Sequence, residues 1–169
     1  MNYLTVVLRL IHVVGGIFWV GAGLLMNFFI GPILRATGDA GKQFASHFMT
    51  RTRVVMVMNI SVYGTALAGL WLYGIDSNWF QSAWMKSSSG IGFTIGALFG
   101  LIGLVTGMMN GSNNRKMATL GSQIQGKPTP EQAAQLGALQ KQQTWVVPVS
   151  SWSLLLAALF MATARYFVF

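Results

Sequence analysis

Residues 87–114 read SSSGIGFTIGALFGLIGLVTGMMNGSNN, 28 positions without a single Asp, Glu, Lys or Arg. A helix needs about 20 predominantly apolar residues, at 1.5 Å rise each, to cross a bilayer. Three further uncharged runs flank this one. Leu10 to Leu34 gives 25 residues, Val54 to Ile75 gives 22 and Gln142 to Ala164 gives 23. None alternates apolar and polar positions as the strands of a closed barrel do. The expectation is an all-α integral membrane four-helix bundle, with spans at about 8–32, 54–75, 89–111 and 145–166. Residues 1–169 form a single transmembrane domain, with little left for a soluble one.

Composition agrees. Charged residues are 8 % of the 169 and hydrophobic ones 53 %, against about 25 % charged in soluble domains. Disorder is excluded because the apolar fraction is too high. There is no Cys, so disulfides, thiolate nucleophiles and iron–sulfur clusters are excluded. The first span does not read as a signal peptide: it lacks a basic start, its apolar run is too long and Arg9 sits inside it.

The loop charges orient the chain. Arg35, Lys42, Arg51 and Arg53 lie between the first two spans, and Arg115, Lys116, Lys127 and Lys141 between the last two. Between the second and third lie only Asp76 and Lys86. Cytoplasmic loops carry the Lys/Arg excess, which predicts N and C termini outside, in a cell membrane of the bacterial inner-membrane type. The net charge of +8 is this orientation signal plus attraction to anionic lipid of the lipid bilayer. No basic stretch is interleaved with aromatics, which argues against nucleic acid as a partner.

Local signals refine the loops. Gly41 to Thr50 reads as a short interfacial helix with Phe44 and Phe48 on one face. Met117 to Gln125 continues the third helix until Gly126, Lys127 and Pro128 stop it. Thr129, Pro130 and Gln132 then read as N-cap, first-turn proline and capping-box partner. Together these predict a cytoplasmic helical hairpin between helices 3 and 4.

The glycines are patterned as well. Gly92, Gly96 and Gly100, then Gly103, Gly107 and Gly111, fall four apart, a spacing that lets helix backbones approach. The expected outcome is tight packing inside one bundle. The alternative is a face for another subunit, in a homo-oligomer or a larger membrane complex, or for a flat cofactor.

His12 is the one ionisable group deep in a span. At 100° per residue, Arg9, His12, Gly15, Gly16, Trp19, Gly23, Met26 and Asn27 share a broad face. That stripe offers an imidazole, small residues beside it and a cation one turn away, a set suited to a porphyrin. The alternative is a structural histidine bonded to a Ser, an Asn or a backbone carbonyl of a neighbouring helix. His47, in the first loop, is expected in solvent. Asp39, Asp76 and Glu131 are placed in loops, too scattered for acid–base catalysis.

The run Arg9-Leu-Ile-His12-Val-Val-Gly-Gly-Ile-Phe-Trp19-Val-Gly21 resembles the first helix of small four-helix membrane proteins of the HemJ and CopD-like kind. Arg51 and Arg53 before the second span, Gly69-Leu-Trp-Leu-Tyr73 closing it, Trp84-Met-Lys86 opening the third and Trp145-Val-Val-Pro148 opening the fourth continue the similarity. The resemblance implies heme b on His12 as iron ligand, with Lys86 at a second important position. The histidines found elsewhere in HemJ-type proteins have no counterpart; Gly111 to Arg115 reads GSNNR. The cofactor-binding set is therefore His12, Arg9, Gly16, Trp19 and Lys86, in a protein linked to electron transfer or porphyrin oxidation. The competing class is a non-catalytic small subunit of a respiratory or photosynthetic type of membrane complex.

Overall fold

Backbone groups inside a bilayer must be satisfied within the chain, and helices do this residue by residue. The computed structural model describes residues 3–124 and 126–167, for Ser82 the backbone alone. Among them there is no strand. Helix α1 (Tyr3–Leu25) runs through a π-helical turn (Met26–Ile30) into α2 (Gly31–Ala36). Then come α3 (Asp39–Arg51), α4 (Val54–Asp76), the short α5 (Ser82–Met85), α6 (Ser88–Gln123) and α7 (Pro130–Thr163), which ends in a 3-10 turn (Ala164–Tyr166).

Four helical stretches are long and apolar enough to cross a membrane: Tyr3–Ala36, Val54–Asp76, Ser88–Gln123 and Pro130–Tyr166. The 23 residues of α4 span about 33 Å, close to a hydrocarbon core of about 30 Å. At 36 and 34 residues, α6 and α7 overshoot that thickness by about 20 Å each.

Local sequence explains the breaks. Pro32 has no N–H to continue the ladder. The chain absorbs this upstream with the π turn, in which the Gly31 N–H bonds the carbonyl of Met26. Gly38, at φ +57°, breaks the helix before α3. Gly41 is buried directly against the Leu34 carbonyl, where no side chain fits. After α4 come three successive left-handed residues, Asn78, Trp79 and Phe80, at φ 47°, 57° and 70°. Bonds from Trp79 N to the Gly74 carbonyl (2.8 Å) and from Phe80 N to Ser77 Oγ (2.9 Å) hold them. Ser87 caps α6 by accepting from Gly90 N at 3.1 Å. The capping box at Thr129 and Gln132 opens α7 as expected. α6 ends at Gln123; Gln125, its expected last residue, lies outside the described residues.

The spans pack as two close pairs, α1 with α4 and α6 with α7. The pairs meet through α1 with α7 and α4 with α6. Between the π turn that follows α1 and α7, Asn27 Nδ2 donates to Ser151 Oγ at 2.6 Å and the Phe28 and Trp152 rings meet edge-on. Between α4 and α6, the Tyr73 and Thr94 hydroxyls share a 2.7 Å bond. The buried core is small, with Leu72, Val146 and Leu154 among its larger members. Large apolar residues such as Ile17 (69 % exposed) and Leu67 (67 %) point outward, which suits lipid and not water.

The glycine stripe of α6 is filled from within the chain. A Cβ at Gly92 would lie 2.9 Å from Ala164 Cα, one at Gly96 2.9 Å from Met161 Cγ, and one at Gly103 2.6 Å from Leu154 Cδ2. Only at Gly111, beyond these contacts, is there open space. The expectation of packing inside one bundle describes these positions.

Candidate functional site

The first-helix stripe is divided between two neighbours. Its N-terminal part faces α4. The imidazole of His12 donates through Nδ1–H to the Thr65 carbonyl at 2.8 Å, since a carbonyl can only accept. The ring lies over Gly69, where a Cβ would come within 2.6 Å of Cε1 and 2.7 Å of Nδ1. Any other residue at 69 would displace it. In the neutral ring this bond leaves the lone pair on Nε2, which has no hydrogen-bond partner among the described residues.

The small residues beside His12 serve helix approach. The Thr65 side chain stands against both: a Cβ on Gly15 would meet its Oγ1 at 2.6 Å, and one on Gly16 its Cγ2 at 3.6 Å. Thr65 Oγ1 is buried with no hydrogen-bond partner among the described residues. Trp19, two turns on from His12, is buried. The C-terminal part of the stripe turns to α7, with Gly23 nearest Leu154 and Asn27 bonded to Ser151.

Arg9 is paired. Its guanidinium lies 3.7 Å from the Asp76 carboxylate, with the two side chains 47 % and 35 % exposed. At that exposure the pair contributes about 0–1 kcal/mol and mainly sets the α1–α4 register. This corrects the placing of Asp76 in a loop: it is the last residue of α4, and Asp39 and Glu131 also lie in first helical turns. Lys86 sits exposed in the turn between α5 and α6, with no ion-pair partner among the described residues. His47 is exposed on α3.

The sequence marks neither Thr65 nor Ser151, and it marks Gly69 only as part of the run that closes the second span. Small polar or absent side chains inside an apolar run give no sign of which neighbour they meet. Among the described residues no group of three or more His, Asp or Glu could hold a metal ion, so a ligand at His12 would need to bring most of its own coordination. A porphyrin does so, and the donor fits: one ring nitrogen is anchored to a carbonyl and the other is left with its lone pair. Gly15 and Gly16 are packed on Thr65 of α4, so they are not part of that fit, which rests on the free ring nitrogen alone. Compared with known proteins, the chain matches no family profile, no curated protein and no solved structure.

Proposed function

We propose that this chain is a multi-pass protein of a cell membrane which holds a b-type heme through Nε2 of His12. Both termini lie outside and the α6–α7 extension lies in the cytoplasm, as the Lys/Arg excess of the first and third loops favours. The observation that carries the heme reading is the 2.8 Å bond from His12 Nδ1–H to the Thr65 carbonyl. Ligating histidines have their second N–H fixed in this way, which orients the ring and raises its basicity. Bound there, the group supplies one-electron redox chemistry. Arg9 is shared with Asp76, which leaves Lys86 and Arg165 as the cations at that end of the bundle without an ion-pair partner among the described residues, and Lys86, in the turn before α6, is the one assigned to a propionate.

Absorption spectra of protein purified in mild detergent, with heme supplied during expression, test the reading. The expected result is a Soret band that His12→Ala abolishes. Heme titration of Lys86→Gln should show affinity about tenfold to a hundredfold lower, matching a lost charge-assisted bond of about 1.5–3 kcal/mol. Lys86→Arg should stay near wild type. The same Thr65 bond also favours a second reading, a histidine that only fixes the α1–α4 register. A heme-free protein that His12→Ala destabilises would establish that one.

A further inference from the structure

The chain has three carboxylates for eleven cations. Asp39 is bonded to Lys42 at 2.8 Å, and that bond holds its carboxyl below the usual value and the Lys42 ammonium above its own. Asp76 is held by Arg9, and Glu131 lies in the first turn of α7, at the helix's positive end. Arg35, Arg51 and Arg53 of the first loop therefore have no carboxylate partner among the described residues.

The helix between them is built for a surface. α3 packs on α2 through Gly41 and leaves Phe44 54 % exposed. The Phe44 and Phe48 rings are stacked, 5.8 Å apart and 11° from parallel. Arg51 follows at i+7 from Phe44 and i+3 from Phe48, so the two rings and the guanidinium form one stripe. A shallow cleft of about 460 Å³ runs beside it along the polar face, lined by Lys42, Ser46, His47 and Arg51. Arg53 follows α3 after Thr52, as the residue before the first turn of α4.

We propose that α3 and the arginines at its C-terminal end bind an anionic phospholipid, with Phe44 and Phe48 against its glycerol and upper acyl region and Arg51 and Arg53 on its phosphate. The stripe orders apolar and cationic groups as a lipid does when it passes from chain to headgroup. The 23-residue span that begins at Val54 sets these arginines at one end of the bilayer core, at headgroup depth. A soluble anion would use the arginines but not the aromatic pair. The proposal rests on the chain being membrane-embedded and is independent of heme.

Native mass spectrometry in mild detergent tests it, with equimolar phosphatidylglycerol and phosphatidylcholine of identical acyl chains. The wild-type protein should retain phosphatidylglycerol preferentially. Arg51→Gln and Arg53→Gln should each lower that preference about fivefold. Phe44→Ser should weaken retention of both lipids alike. Arg165→Gln, an exposed cation at the opposite end, should leave the preference unchanged, and inorganic phosphate should not displace the lipid. Equal retention of the two lipids, arginine variants that match wild type, an equal loss on Arg165→Gln, or displacement by phosphate would each overturn the proposal. A protein that stays dispersed in water after detergent removal would instead overturn the membrane reading beneath it.

Discussion

His12 and Gly69 act as one unit. The imidazole occupies the space that a side chain at 69 would take, and that position brings Nδ1 to the Thr65 carbonyl. Gly69→Ala should push the ring away and break the bond. Overpacking of this kind costs about 1–3 kcal/mol. Gly16→Ala is the matched control: its Cβ would meet Thr65 Cγ2 at 3.6 Å, an ordinary contact. Thermal melts in detergent should show a clear drop for Gly69→Ala and little change for Gly16→Ala. If both variants melt alike, the His12–Gly69 contact is not what holds the ring.

At the scale of elements, the π turn is the feature with the most consequence. It exists because Pro32 cannot donate, and it inserts one residue's worth of rotation into α1. That rotation helps bring Asn27 to Ser151, whose own hydroxyl donates to the Val147 carbonyl at 2.9 Å. Pro32→Ala lets the ladder return to α-helix and swings Asn27 by up to about 100°. The expected result is loss of the Asn27–Ser151 bond, at about 0.5–1.5 kcal/mol. A double-mutant cycle reads it: Asn27→Ala should cost stability in the wild type and nothing in a Pro32→Ala background. Equal costs in both would separate the turn from the bond.

For the whole molecule, the decisive quantity is sidedness. The α4–α5 turn and the α6–α7 extension lie at opposite ends of α6, about 54 Å apart along its axis. Single cysteines at Gln81 and Ser122, both exposed, should react with an impermeant thiol reagent from opposite faces of oriented vesicles. Gln81 should label from outside intact cells, and Ser122 only after they are opened. Labelling of both from one side would remove the four-span topology. The reverse assignment would keep the four spans and invert the orientation read from the loop charges.

The sequence by itself determined the helices and their class. Hydrophobicity over 22 to 28 uncharged residues is a local, additive property, and in lipid it admits little but helix. Capping is local too, so Thr129 and Gln132 could be read directly, and Phe44 with Phe48 marked α3 by spacing alone. Helical periodicity also put Arg9, His12, Gly16 and Asn27 on one face, but it could not say that this face serves two neighbours. Which helix fills a glycine, and which carbonyl receives an imidazole proton, depends on the register between segments more than 50 residues apart. The tertiary structure alone decided that Thr65 and Gly69 meet His12, that Asp76 takes Arg9, and that α7 closes most of the glycine stripe of α6. Lipid is as apolar as leucine, so hydrophobic pattern could not choose these partners; close packing and a few polar bonds did.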